Sequence, residues 1–270
     1  MKIVVVIPIY LGVNHKDFEE SLKSVVNQKT TYTFKIFVVK DGEINDNIQK
    51  ILSKYDSNIS VIGRDKNMGL ASILNYSLKE IPWDYYFRMD SDDIISPDRI
   101  QVQLDYILSN PEYHAVGTQF IRFVEGGKEY NGRTMPNELN KIIKTAIFRS
   151  PTVHASMLYK KSFFELNGFY DESFRYGCED YDLFSRAVLN KVSFTTIDKR
   201  LYLVRSAPEL KFRRLRFKNL TDAFKISSRY IFYQKLYIYI FPIIIIFILK
   251  FILKFVPPNL FQKIKDNFIK

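Results

Sequence analysis

Tyr85-Tyr86-Phe87-Arg88-Met89-Asp90-Ser91-Asp92-Asp93 is the stretch on which the fold turns. Together with Trp83 and Asp84 it reads as a short apolar strand, Trp83–Met89, that runs directly into acids. A helix follows over Pro97–Ser109, with proline in the first turn, where its missing N–H costs nothing. Working back toward the N-terminus, the same alternation recurs. Leu70–Lys79 reads as a helix, Ile59–Gly63 as a strand, Asn45–Tyr55 as a helix and Phe34–Lys40 as a buried strand. Asp17–Asn27 places Phe18, Leu22, Val25 and Val26 at helical spacing, and Lys2–Ile9 is a β-branched strand. Short continuous apolar strands alternating with helices predict an α/β chain with a single, mostly parallel sheet covered on both faces. No internal repeat is visible. Val124–Pro136, with Gly126, Gly127 and Gly132, reads as a loop, and the alternation becomes irregular beyond it.

Ligands of such open sheets bind beyond the carboxyl ends of the strands. That rule selects Pro8-Ile9-Tyr10, Asp41-Gly42 and Asp90-Ser91-Asp92-Asp93. Crowded carboxylates repel one another unless a cation joins them. A hard divalent ion such as Mg²⁺ or Mn²⁺ takes one or two carboxylates together with substrate phosphates. The Asp-x-Asp spacing lets one carboxylate reach a metal while the other orients a nucleotide sugar. Arg88 can offset charge or contact phosphate. The plainer alternative is an acidic loop at the start of the next helix, near which Asp92, Asp93, Ser96 and Asp98 all lie. No Walker-type loop and no Gly-x-Gly-x-x-Gly follows the first strand, so ATP hydrolysis and dinucleotide binding lose their usual support.

The composition excludes several classes. With 270 residues, 47% hydrophobic and 16% aromatic, the chain is neither disordered nor, with 10 Gly and 10 Pro, collagen-like. The single cysteine, Cys178, permits no internal disulfide and no cysteine-based zinc site. The apolar start lacks the features of a signal peptide, so a cytosolic protein is expected. The net charge of +11 is unevenly placed: residues 1–198 carry −2 and residues 199–270 carry +13. Lys211–Lys218 is basic with apolar interleaving, and Leu236–Leu249 runs 14 residues without a charge. A helix over 236–256 would be about 31 Å long, enough to span a bilayer core. Pro242, the inlying Lys250 and Lys254, and positive charge at both ends favour a segment lying in the membrane plane instead. Long Ile/Phe runs do not suit a phosphate backbone, so nucleic acid is not an expected partner.

Taken together, these residues resemble family 2 glycosyltransferases of the GT-A type. The resemblance rests on Val4–Tyr10, Ser21–Gln28, Val38-Val39-Lys40-Asp41-Gly42, Asn67-Met68-Gly69-Leu70-Ala71 with Leu74-Asn75, and Arg88–Asp93. It continues through Pro97-Asp98-Arg99 with Gln103, Ser150-Pro151-Thr152-Val153-His154 and Glu179-Asp180-Tyr181-Asp182-Leu183-Phe184. Order and spacing agree over about residues 3–205. The Lys-Asp-Gly and Arg-Met-Asp-x-Asp-Asp variants are similar to bacterial polysaccharide-biosynthesis members of the amylovoran type.

The resemblance implies roles. Asp41, Pro8, Tyr10 and Asn67 would line the donor's base pocket, with Arg88, Asp90 and Ser91 on the nucleotide sugar. Asp92, with Asp90, would hold a divalent cation, Mn²⁺ or Mg²⁺. Asp180 would be the general base, supported by Glu179. His154 would face the acceptor. The reaction implied is inverting transfer from a nucleotide sugar, a UDP-sugar first, to a lipid-linked glycan at the cytoplasmic face of a bacterial inner membrane. On this reading residues 1–205 form the transferase domain, divided into a nucleotide-sugar half (1–100) and an acceptor half (101–205). Residues 206–270 form a basic, apolar helical tail for membrane association.

Two departures stand out. Lys40 occupies the first position of the more usual Asp-Asp-Gly, and Leu201–Pro208 lacks the histidine that often completes the metal shell. Arg205, Arg213 and Arg214 are candidates to compensate at the phosphates. Glu179-Asp180 also opens a helix-like stretch, Asp180–Val188, where acids serve equally as N-terminal caps. Phe169, Tyr170, Phe174 and Tyr176 can form an acceptor platform or plain core. Two other classes compete: a sugar-nucleotide nucleotidyltransferase, disfavoured by the absence of a glycine-rich loop after the first strand, and a non-catalytic sugar-nucleotide-binding protein.

Overall fold

The computed structural model describes residues 1–55, 59–124, 129–175, 177–206 and 216–254. Its first half follows the expected alternation. The order is β1 (Ile3–Ile9), α1 (His15–Val26), β2 (Lys35–Asp41), α2 (Asp46–Lys54), β3 (Ile59–Arg64), α3 (Leu70–Glu80), β4 (Tyr85–Arg88), β5 (Ile94–Ile95) and α4 (Arg99–Ser109). Then come β6 (Ala115–Phe123), β7 (Glu129–Asn131), α5 (Leu139–Ala146), a 3₁₀ turn (His154–Ser156), β8 (Leu158–Lys160), α6 (Lys161–Asn167), α7 (Glu179–Leu189) and β9 (Phe194–Arg205). Helix α8 (Phe217–Gln234), a second 3₁₀ turn (Tyr237–Tyr239) and α9 (Ile240–Leu253) end the described chain.

The strands join one sheet in the order β3-β2-β1-β4-β8-β6-β9-β5, with β7 paired to β6. The sheet is mixed, which corrects the expectation of a mostly parallel one. Strands β1 to β4 are mutually parallel. Strand β8 runs antiparallel to both β4 and β6, and β5 runs antiparallel to β9. Parallel neighbours need a long crossover connection, usually a helix. Strand β8 follows a 3₁₀ turn instead, and its three residues fill the gap between β4 and β6 in the opposite sense. The loop expected over 124–136 contains β7, which folds back on β6.

Strand β1 shows why both faces are covered. Successive side chains point to opposite faces of a strand. Ile3, Val5, Ile7 and Ile9 join one core with α1, α2 and α4, through residues such as Phe18, Ile48 and Leu104. Val4 and Val6 join the other, with α3, α5, α6 and α7. That second core also includes Tyr230 and Ile231 of α8 and Ile243 of α9, so the last helices close the body.

Among the described residues, no helix is long and apolar enough to cross a membrane. The single helix conceivable over 236–256 does not form. The chain turns at Lys235 (φ 55°), passes through the 3₁₀ turn and starts afresh as α9. At 14 residues, α9 is about 21 Å long. Pro242 does not interrupt it but sits in its first turn, the one part of a helix that tolerates proline.

Candidate active site

The carboxyl ends of β1, β2 and β4 lie side by side and carry the residues selected from the sequence. Pro8 is buried in β1, and Tyr10 stands 47% exposed just beyond it. At the end of β2, Asp41 is buried. Its two carboxylate oxygens accept the backbone N–H groups of Met68 (2.7 Å) and Gly69 (2.9 Å). Gly69 is the N-cap of α3 and has no side chain to cap with, so Asp41 does this from another strand. Asn67 Nδ2 donates to the Asp41 carbonyl (3.2 Å), and Arg175 Nη2 donates to the Asn67 carbonyl (3.0 Å). Gly42 (φ 90°) allows this close approach: a Cβ there would lie 2.9 Å from the Asn67 nitrogen. A carboxylate offers about four acceptor positions, so Asp41 retains capacity for a ligand donor.

At the end of β4, Arg88 is buried and its Nη2 lies 2.6 Å from Asp90 Oδ1. Burial disfavours the Arg88 charge, but Asp90 more than restores it. The Asp90 backbone is pinned on both sides: its N–H donates to Tyr202 Oη (3.1 Å) and its carbonyl accepts Ser21 Oγ (3.2 Å). Carboxylate oxygens of Asp90, Asp92 and Asp93 lie within 4.8 Å of one another. Burial, with Asp90 adding repulsion, pushes Asp92 up to about 6. Asp93 rises well above the usual carboxylate range, for burial first and then for Asp90 and Asp92. Such crowding is what a hard divalent cation relieves, so the donor set fits one.

Asp93 is the member the sequence reading left without a role. Its Oδ1 accepts the Arg205 backbone N–H (2.8 Å) at the far end of β9. Arg205 Nε donates to the Asp92 carbonyl (2.8 Å). The Arg205 head group pairs with Asp17 (3.2 Å) and Glu20 (2.6 Å) of α1 and lies over the Phe123 ring. Arg205 therefore clamps the acidic turn. Arg213 and Arg214 lie outside the described residues. The Arg99–Gln103 pair is likewise internal: buried Arg99 bonds Gln103 (2.8 Å) and the Arg88 carbonyl (3.0 Å), while Gln103 bonds the carbonyls of Val116 and Ser156.

The second acidic group opens α7. Cys178, at φ 72°, makes the sharp entry, and Glu179, Asp180 and Asp182 occupy the first turn. Glu179 is buried, which pushes it up to about 7 with Asp180 adding to the effect. The charges of Arg88 and Asp90 are also felt by Glu179, in opposite senses. Asp182 is fully buried, with Arg186 at 2.7 Å and Arg229 of α8 on its other oxygen. Tyr181 Oη bonds the carbonyls of Ala146 and Ile147 and the Ser227 hydroxyl of α8. The Cys178 thiol, pushed up to about 12 by burial and the neighbouring acids, is unreactive.

His154 is held by an internal hydrogen bond: it is buried, its Nε2 sits 2.7 Å from Tyr170 Oη, and burial with the nearby Arg88 charge keeps its pKa well below the ordinary value. Tyr170 and Phe174 are buried, Phe169 is exposed, and Tyr176 lies outside the described residues. The structure thus brings Pro8, Tyr10, Asp41 and Asn67 to one side of the strand ends. Arg88, Asp90, Ser91, Asp92 and Asp93 lie at and just beyond the end of β4, and Glu179 and Asp180 in the first turn of α7.

The family described as Glycosyl transferase family 2 matches residues 4–192. An Escherichia coli protein named UDP-Gal:alpha-D-GlcNAc-diphosphoundecaprenol beta-1,3-galactosyltransferase is 26% identical over 275 residues, covering 99% of this chain and 98% of its own. The amylovoran biosynthesis glycosyltransferase AmsE of Erwinia amylovora is 29% identical over 184 residues, 67% of this chain and 68% of its own. Among solved structures, residues 1–349 of S. aureus TarS in complex with UDP-GlcNAc align with a TM-score of 0.61 at 18% identity. That alignment covers 86% of this chain and 72% of that one.

Proposed function

The chain belongs to glycosyl transferase family 2, and from that premise we propose that it transfers a sugar, with inversion, from a UDP-sugar to a hydroxyl of a lipid-linked glycan in the assembly of a bacterial cell-surface polysaccharide. One observation carries the reading: at the end of β4, Asp90 pairs with buried Arg88 at 2.6 Å and the carboxylate oxygens of Asp90, Asp92 and Asp93 lie within 4.8 Å of one another, a donor set that suits a divalent cation beside a diphosphate. The relative named for a UDP-Gal donor and a diphosphoundecaprenol-linked acceptor aligns along nearly its whole length, which supports the choice of substrates.

Tyr10 and Pro8, with Asp41 and Asn67, form the pocket for the base. Asp90 and Ser91 hold the sugar-nucleotide, and Arg88 acts on it by fixing Asp90. Asp92 and Asp90 would hold Mn²⁺ or Mg²⁺; when bound, that ion stabilises the charge of a departing nucleoside diphosphate. Asp180 takes the proton from the acceptor hydroxyl as it attacks the anomeric carbon. Glu179, whose burial favours its protonated form, supports Asp180 from the same first turn of α7. A single attack from the face opposite the leaving group inverts the configuration. Residues 1–100 serve the donor, residues 101–205 the acceptor, and residues 206–270 keep the enzyme peripherally at the cytoplasmic face of the membrane.

The test incubates the full-length protein with UDP-, GDP- and dTDP-sugars, Mn²⁺ or Mg²⁺, and a polyprenyl-diphosphate-linked sugar. Release of nucleoside diphosphate together with an inverted linkage by NMR is expected. Release of pyrophosphate, retention of configuration, or full activity of Asp180→Asn overturns the reading.

A further inference from the structure

The hairpin of α8 and α9 has two unlike sides. Its inner side is built into the protein. Ile243 is 5% exposed, the Phe247 ring sits 5.1 Å from that of Phe224 on α8, and α8 itself is held by Arg229 on Asp182 and Ser227 on Tyr181. Its outer side is apolar and open. Phe232 and Tyr233 at the end of α8, Ile238 in the turn (80% exposed), and Phe241 (76%), Ile245 and Ile252 on α9 all face away from the core. A helix apolar all round belongs in a core or in lipid, and among the described residues α9 has protein on one side only.

Charge and length select what covers the other side. Residues 216–254 contain seven Lys and Arg against one acid, Asp222, which Lys218 already holds at 2.7 Å. Two such hairpins facing each other would set like charge against like, whereas an anionic lipid surface is attracted by each added Lys or Arg. The 14 residues of α9 fall short of the roughly 20 that a spanning helix needs. The same helix suits an in-plane position, with its apolar face in the acyl boundary and flanking lysines at the headgroups. Lys235 and Lys254 bracket it in that way.

We propose that the outer face of the α8–α9 hairpin is a membrane-docking surface whose partner is an anionic bilayer, with α9 lying in the membrane plane. The purpose of this docking rests on the reading of a membrane-held acceptor; its physical case does not. Because α8 is bonded to Tyr181 and Asp182 of α7, docking also fixes the orientation of Glu179 and Asp180 relative to the bilayer.

Flotation of the full-length protein tests the proposal, with phosphatidylcholine vesicles and with 3:1 phosphatidylcholine:phosphatidylglycerol vesicles. Strong binding to the anionic vesicles is expected, and at least tenfold weaker binding to the neutral ones. The variant Phe241→Glu/Ile245→Glu is expected to lose binding at least tenfold with unchanged circular dichroism and unchanged transfer to a short-chain, water-soluble acceptor. Ile238→Glu, in the turn and 80% exposed, is a second variant expected to weaken binding. Failure of the wild type to float with either vesicle, or equal flotation of both variants, overturns the proposal. So does a wild-type dimer that the double variant converts to monomer without any vesicle binding, since a second copy would then cover the face. Flotation requires no turnover, so it fails or succeeds independently of the transferase assay.

Discussion

Two runs of acids, Asp90–Asp93 on a turn after β4 and Glu179–Asp182 on the first turn of α7, look alike in sequence and differ in space. Each has a deeply buried aspartate bonded by a basic residue from a distant element. Asp93 takes the Arg205 backbone N–H, and Asp182 takes the guanidinium groups of Arg186 and Arg229. The other acids of each run stand under different constraints. On the turn, three carboxylates crowd within 4.8 Å of one another, a geometry for a shared cation. On the helix, successive side chains diverge by about 100°, so the acids separate into distinct jobs. Density of acidic residues is therefore a poor guide to function. The partner that claims one acid sets the position of its neighbours.

The sharpest way to break this comparison is to exchange members within a run. Asp92→Ala and Asp180→Asn are each expected to cut transfer by about 10³-fold, in the range of a lost general base, with Tm unchanged. Asp93→Asn, which keeps an oxygen for the Arg205 N–H, is expected to lose less than tenfold. An Asp93→Asn variant as inactive as Asp92→Ala would make the two acids equivalent and end the distinction. Asp182→Asn tests the second run. Leaving Arg186 and Arg229 facing a neutral group should cost about 3 kcal/mol of stability in a denaturant melt. A loss below about 1 kcal/mol would mean that the buried ion pairs do not hold α8 to α7.

The pH effects are smaller and have opposite consequences in the two runs. Asp92, raised to about 6, must be ionised to bind a metal, so Mn²⁺ affinity by titration calorimetry should fall as pH drops through about 6. A flat affinity from pH 5 to 8 would remove Asp92 from the metal shell. Glu179, raised to about 7 by burial and Asp180, adds stability that is full below its unfolded value of 4.5 and is lost as pH rises through about 7. Glu179→Gln should therefore match the wild type in stability at pH 4 and exceed it at pH 8. Equal melts at both pH values would show that Glu179 titrates like an exposed glutamate.

Much of this was legible along the chain. The strands and helices from β1 to α4, apart from the two-residue β5, were readable because each βα unit pairs with its neighbour through a short loop and its period is local. The positions of Asp41, Asp90 and Asp92 at strand ends were readable because apolar, strand-like runs lead directly into them. The roles of Asp93 and Asp182 were not, since both depend on partners 112 and 47 residues away. Neither was Arg205, whose place beside α1 exists only once β9 has joined β6 in parallel.

The apolar run after Leu236 shows the same division. Its composition by itself determined that this part of the chain is basic, aromatic and poorly suited to water. Only the tertiary structure decided that the run is a 14-residue helix behind a left-handed turn at Lys235, with one side seated on α8 and the other open. Likewise, periodicity determined an α/β sheet with acids at its strand ends, while folding decided that β8 is reversed and which acids are consumed. The physical reason is common to both. Hydropathy and helical or strand period are properties of neighbouring residues, whereas strand direction, ion pairing and burial depend on segments that meet only after the chain has closed.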